Sequence, residues 1–272
     1  WGFSRSTCDA NSIVDDKDTN IVFIATRHNT HAQYVLEALK NGKHVFVEKP
    51  LCMTEEELEL IREEYNNKDC HLMLGLNRRF APHILRIKKM FVSNQPKAIN
   101  YRINAGSIPF EHWIQDKEIG GGRIIGELCH FIDLVMHLAG DDPKSLVAYS
   151  MDDPFGLQDT LNVNILFKNG SIGNISYFSN GSKAMNKEYL EVYSNGLTAV
   201  VDDFKNLHTY AKKHTVKKDM NQDKGHKEEV KQFLEAVKSG KSTPIKFSEI
   251  YLATKMCFDV LRSLREGRMI VY

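Results

Sequence analysis

The stretch IVFIATRHNTHAQYVLEALKNGKHVFVEKPL, residues 21–51, places two short apolar runs on either side of one amphipathic segment. Ile21-Val22-Phe23-Ile24-Ala25 and His44-Val45-Phe46-Val47 lack polar alternation and read as strands buried on both faces of a parallel sheet. Between them Ala32, Val35, Leu36 and Leu39 recur at helical spacing. Asn41-Gly42 closes that helix, because glycine accepts the left-handed backbone at a helix end. A third run, His71-Leu72-Met73-Leu74-Gly75, follows a second helix announced by a capping box of Thr54 and Glu57 ahead of Leu58 and Ile61. Strand, helix, strand, helix, strand predicts a doubly wound α/β unit with its ligand loops at the carboxyl ends of the strands.

Beyond Phe80 the rhythm changes. A helix near 82–92 leads to strands near 98–105, 145–151, 160–167, 171–179, 188–194 and 197–202. Leu161, Val163, Ile165 and Phe167 alternate with polar neighbours, and Asn169-Gly170 supplies a hairpin turn, which predicts a large, mainly antiparallel open sheet with one buried face. The other face carries Asn162, Asn164 and Leu166 and is expected to meet a second copy of the chain as a homo-oligomer. Helices near 225–239 and 248–266 end the chain after a lysine-rich stretch around 212–227 that is expected to be mobile.

Composition narrows the ligand. The 272 residues are 42% hydrophobic and 26% charged, enough for one large or two ordinary cores. Lys+Arg 36 against Asp+Glu 35 leaves a formal charge of +1, so no global field draws the chain to nucleic acid or an anionic membrane. A small neutral or modestly charged ligand fits better. The five cysteines, Cys8, Cys52, Cys70, Cys129 and Cys257, are scattered without a C-x-x-C pair, which argues against a disulfide framework or a structural zinc site and for a reducing, cytoplasmic setting. No apolar run approaches the roughly 20 residues that span a bilayer. The chain opens on Trp1 rather than Met, so an upstream segment is expected.

Three segments carry the chemistry. Thr26-Arg27-His28-Asn29-Thr30-His31 leaves the first strand and enters a helix. Glu48-Lys49-Pro50 directly follows the second strand, so a lysine faces the same crevice on a backbone stiffened by proline. The run from Gly120 to Asp133 opens on three glycines and continues as one helix with an apolar stripe of Ile124, Leu128, Phe131, Val135 and Leu138, leaving Glu127 and His130 on the opposite face. The Gly120–Gly126 run holds no G-x-G-x-x-G and follows no strand, so it is a poor phosphate cradle. His28, His31, Glu127, His130 and His137 have spacings that could ligate a metal, but without a third strong cluster no metal is expected.

Taken together, these segments resemble the glucose–fructose oxidoreductase / inositol dehydrogenase / MocA (Gfo/Idh/MocA) family of oxidoreductases. The resemblance implies a partial Rossmann-type dinucleotide-binding domain over residues 1–77 and a substrate and oligomerisation domain over 78–272. It implies NAD or NADP as cofactor, with Thr26, Arg27, His28, Asn29, His31, Glu48, Lys49, Pro50 and Asn77 on the cofactor side. Arg78, Arg79, Trp113 and Arg123 fall on the substrate side, the substrate being a sugar, polyol or nucleotide-sugar. Lys49, His130 and Glu127 take the catalytic roles. The family carries aspartate four residues before the histidine; here that position is Gly126, and the carboxylate stands at Glu127. The form Gly-Arg-Ile-Ile-Gly-Glu is similar to a subgroup in which this module is the C-terminal half of a longer chain, fused to a zinc-dependent-type dehydrogenase half. On that reading the opening βαβ unit and its glycine fingerprint are missing, and the piece is expected to bind free NAD(H) weakly and to be inactive by itself. Two alternatives stand beside hydride transfer: a non-catalytic sugar-binding or scaffold module, and redox-neutral, NAD-dependent glycoside cleavage.

Overall fold

The computed structural model describes residues 2–91 and 95–272. After one helical turn, α1 (Asn11–Val14), the strands β1 (Ile21–Ile24), β2 (His44–Val47) and β3 (Leu72–Leu74) form a parallel sheet in the order β1-β2-β3. The connecting helices are α2 (His31–Lys40) and α3 (Glu55–Asn66). Helix α2 buries Ala32, Val35, Ala38 and Leu39 and ends at Gly42, whose φ of 69° only glycine adopts cheaply. Helix α3 begins with the expected capping box: the Glu57 N–H donates to Thr54 Oγ1 at 3.1 Å, and Glu57 Oε2 accepts from the Thr54 N–H at 3.2 Å. A cap of this kind is worth about 1 kcal/mol.

A 3-10 turn, Asn77–Phe80, carries the chain into α4 (Pro82–Met90), with proline at the first helical position, where its missing N–H costs nothing. Residue 92, the expected end of that helix, lies outside the described residues.

The second sheet comprises β4 (Ala98–Asn104), β5 (Pro143–Ser150), β6 (Leu161–Phe167), β7 (Ile172–Phe178), β8 (Glu188–Ser194), β9 (Leu197–Asp202), β10 (Asn206–Tyr210), β11 (His214–Lys218) and β12 (Ile270–Val271). Their order is β11-β10-β9-β8-β4-β7-β6-β5-β12; β4 and β7 pair in parallel, and the other neighbours are antiparallel. Alternation is clean on β6, where Leu161, Val163, Ile165 and Phe167 are buried and Asn162, Asn164 and Leu166 are exposed. Helices α5 (Gly122–Glu127), α6 (Cys129–Ala139), α7 (His226–Ser239) and α8 (Phe247–Glu266) complete the chain, with α6 and α8 packed on each other beneath the sheet.

Three expectations need correction. The helix expected across residues 124–138 is interrupted at Leu128, so Glu127 and His130 stand on either side of the break. The lysine-rich stretch is not a mobile loop throughout: His214–Lys218 is the edge strand β11, in register with β10 from Tyr210↔His214 to Asn206↔Lys218. Every residue of β11 is exposed, so it carries no buried alternation for a periodicity argument to detect. Strand β12, two residues long, was missed for want of length.

The junction between the sheets is ionic and dry. Arg78 donates from Nε to Glu188 Oε2 at 2.7 Å and from a terminal nitrogen to Oε1 at 3.0 Å. Arg79 grips both oxygens of Asp133, one at 3.0 Å, and reaches Glu249 at 2.7 Å. Replacing Arg79 with Met should leave Asp133 buried without its counter-charge and cost about 3–5 kcal/mol. Denaturant unfolding with no change in slope would measure it; a loss under about 1 kcal/mol would show that the pair does not hold the two units together.

Candidate active site

The carboxyl ends of β1, β2 and β3 deliver three loops to one crevice. His31 ties two of them together: its Nδ1 lies 2.6 Å from the Pro50 carbonyl oxygen and its Nε2 lies 3.2 Å from that of Thr26. Lys49 follows β2 on a cis Lys49-Pro50 peptide. It is half-buried, and its ammonium has no hydrogen bond or ion pair among the described residues. Beside it Glu48 lies against Gly75, where a Cβ would stand 3.1 Å from Glu48 Oε2. A side chain at position 75 would thus require the Glu48 carboxylate to give by a few tenths of an ångström.

The opposite wall is the α5–α6 segment. Glu127 Oε2 accepts from the Tyr177 hydroxyl at 3.0 Å, Lys187 lies 3.6 Å from the same oxygen, and Arg123 lies 3.6 Å from the other. Burial alone would raise the Glu127 carboxyl, but Lys187, Arg123, Lys49 and the Tyr177 hydroxyl together hold it below the ordinary range. His130 goes the other way: burial, with Arg78, Lys49 and Lys187 nearby, pushes it well below the usual imidazole range. Its Nδ1 is buried and has no partner among the described residues. The crevice therefore holds an ionised carboxylate and a neutral imidazole at neutral pH.

His28 crosses between the domains. Its Nδ1 lies 2.8 Å from the Gly120 carbonyl oxygen, and Trp113 meets its ring edge-on at 4.8 Å, with the Arg27 guanidinium over the Trp113 ring at 5.7 Å. Burial, opposed by the Gly120 hydrogen bond and reinforced by Lys49 and His31, pushes His28 down to about 4.

Lys49 is thus brought within electrostatic reach of Glu127, His130 and His28, and Glu127 within reach of His28. Thr26, Arg27 and Asn29 line the exposed rim. The two arginines expected at the substrate are engaged elsewhere, Arg78 with Glu188 and Arg79 with Asp133 and Glu249. Asn77 is buried and donates to the Lys224 carbonyl at 2.8 Å. Arg123 is buried as well, donating to the Gly106 carbonyl at 2.7 Å and lying beside Glu127. Lys187 and Tyr177 had escaped sequence reasoning, since neither sits in a motif. So had Glu229 on α7, a buried carboxyl with one oxygen unpartnered, which burial and the neighbouring Glu48 push up to about 8.

Among the described residues no group of three or more His, Cys, Asp or Glu could hold a metal ion. No described helix is long and apolar enough to cross a membrane. The donors present do suit the nicotinamide end of a dinucleotide: an ammonium unpaired among the described residues, at the carboxyl end of a parallel strand.

A parallel-stranded crevice closed by a second, open-sheet domain defines a two-domain α/β oxidoreductase architecture. Residues 2–76 match the model of the oxidoreductase family's NAD-binding Rossmann fold, and residues 95–271 match that of the family's C-terminal alpha/beta domain, both under the Gfo/Idh/MocA name. The chain belongs to this family. It carries stretches that match both family domains, and not the C-terminal domain alone. It is 23% identical over 294 residues to myo-inositol 2-dehydrogenase of Thermotoga maritima, covering 99% of this chain and 84% of that protein. It is 31% identical over 152 residues to levoglucosan dehydrogenase of Pseudarthrobacter phenanthrenivorans, covering 52% of this chain and 38% of that protein. In structure it overlays a levoglucosan dehydrogenase complex with NADH and levoglucosan at a TM-score of 0.86 and 22% identity, covering 99% of this chain and 85% of that one.

The Glu229 carboxyl offers a test of the site's electrostatics. Its folded-state value lies above the ordinary 4.5, so the neutral form stabilises the fold fully below that value, and the contribution is lost as pH rises through about 8. Each pH unit in that window costs at most about 1.4 kcal/mol. Glu229→Gln should therefore flatten the fall in melting temperature between pH 5 and 9, leaving pH 5 stability near wild type. Parallel wild-type and variant curves would refute the assignment.

Proposed function

We propose that the chain oxidises or reduces a hydroxyl or carbonyl of a sugar, polyol or nucleotide-sugar, using NAD or NADP held by residues 1–77 against a substrate domain formed by residues 78–272. The observation that carries this reading is the unpaired Lys49 ammonium at the end of β2, facing Glu127 and His130 across the crevice. The relatives named for levoglucosan and myo-inositol support a polyhydroxylated substrate.

A bound nicotinamide supplies the hydride acceptor or donor at its ring carbon. Lys49 donates a hydrogen bond to the reacting oxygen and stabilises its negative charge as the substrate C–H bond breaks. His130, kept neutral by its surroundings, accepts the hydroxyl proton and returns it in the reverse direction. Glu127, held below the ordinary carboxylate range, offsets the Lys49 charge. Arg123 and Tyr177 orient that carboxylate. Thr26, Arg27, Asn29, Glu48 and Pro50 border the cofactor; Trp113 borders the substrate.

The outer face of the large sheet supports assembly of identical copies. Leu166, Ile172 and Tyr193 are exposed there around a cavity of about 530 Å³ that Asn100, Asn164 and Asn174 also line. Sedimentation should find an oligomer at micromolar concentration.

Lys49→Met should abolish turnover of polyol panels with NAD+ or NADP+ while leaving unfolding nearly unchanged. His130→Ala should lower kcat by about 10²–10⁴-fold, the usual scale of general acid–base help. Glu127→Gln should lower kcat with little change in KM, because its charge acts on the proton-transfer step. Full activity in Lys49→Met would sink the mechanism.

A further inference from the structure

Gly126 and His28 occupy one another's space. A Cβ at position 126 would lie 2.9 Å from His28 Cε1 and 3.4 Å from its Nδ1, so the imidazole from the first domain fills the volume that a side chain on α5 would take. Three contacts fix the ring there. Nδ1 meets the Gly120 carbonyl at 2.8 Å, Trp113 packs against it edge-on, and the adjoining Asn29 N–H donates to the Ile119 carbonyl at 3.2 Å. A carbonyl oxygen only accepts, so Nδ1 carries the hydrogen and Nε2 keeps its lone pair. That Nε2 has no partner among the described residues and is not one of the buried unpartnered atoms, so it stays open to solvent. Lys49 and Glu127 lie within electrostatic reach of the same ring.

Resting on the dehydrogenase reading of this site, we propose that His28 is a specificity-determining residue whose Nε2 lone pair accepts a hydrogen bond from a substrate hydroxyl adjacent to the one that reacts at Lys49 and His130. The ligand class is a vicinal diol on a ring, as in a pyranose or a cyclitol. A ring held as a neutral acceptor selects for a hydroxyl donor and against a carbonyl or an ether oxygen at that point. This moves His28 from the cofactor side of the crevice, where the sequence motif placed it, to the substrate side. The bare Gly126 backbone explains how it gets there.

Kinetics with myo-inositol, levoglucosan and the monodeoxy analogues of myo-inositol, in the presence of NAD+, test the idea. His28→Phe should raise KM by about 10–100-fold with kcat changed only a few-fold, the scale of one lost buried hydrogen bond. For one deoxy analogue, the one lacking the hydroxyl that His28 binds, wild type and variant should have equal KM. A gap of the same size for every analogue would reduce His28 to a packing residue and overturn the proposal. Gly126→Ala, which pushes the ring aside, should raise KM in the wild type and add nothing to His28→Ala. Nitrogen-15 NMR of the wild-type chain gives a readout that needs no turnover. His28 should show hydrogen on Nδ1, and saturating myo-inositol or levoglucosan should shift its Nε2 resonance. Hydrogen on Nε2, or no shift at saturation, would overturn the proposal. A shift without turnover of any polyol would support the His28 contact and refute the dehydrogenase reading alone.

Discussion

Two adjacent guanidinium groups, Arg78 and Arg79, leave water at the point where the chain passes from the three-stranded sheet to the nine-stranded one. Stripping water from each costs several kcal/mol, and only carboxylates in good geometry offset it. Those carboxylates come from elements far along the chain: Glu188 opens β8, Asp133 lies on α6, and Glu249 lies on α8. The relative placement of the two sheets is therefore set by a charge requirement as much as by apolar burial. Glu188 shows how strong the requirement is. Although burial would raise it, Arg78 and Lys224 hold it down to about 2, and Tyr101 donates a further hydrogen bond from beneath.

The crevice inherits its electrostatics from that junction. Arg78 is one of the cations that keep His130 neutral, so a residue engaged in the junction also tunes one in the crevice. Lys187 and Lys49 act in opposite directions on the two sides, lowering both Glu127 and His130. A carboxylate that stays charged and an imidazole that stays uncharged form a directional pair: the imidazole can take a proton, while the carboxylate stabilises the cation that results nearby. Environments that push neighbouring groups in these ways separate the roles of acid, base and counter-charge.

Most of the frame was legible because burial leaves periodic marks. Strands β1, β2 and β3 showed as unbroken apolar runs, β6 as strict alternation, and α3 through its Thr54–Glu57 cap. Lys49 and His130 were legible from the segments around them. What escaped lacked such marks: β11 is wholly exposed, and Lys187, Tyr177 and Glu229 come to the site through tertiary packing from β7, from the residue ahead of β8 and from α7. Arg78 and Arg79 failed in another way. The resemblance puts them on the substrate side, but only the positions of Glu188 and Asp133 reveal that both side chains are already occupied.

The exchange at position 126 shows why a local departure from a pattern has to be judged in three dimensions. Read along the chain, glycine in place of a carboxylate looks like a loss of function. In space, the missing side chain is matched by an imidazole from another loop, and the carboxylate one residue later is held ionised by three cations and a tyrosine hydroxyl. The helix break at Leu128 belongs to the same arrangement, because it separates Glu127 from His130 while Lys49 remains within reach of both. Charge, acceptor and base thus come to the crevice from three separate elements, the β1 and β2 loops and the α5–α6 segment.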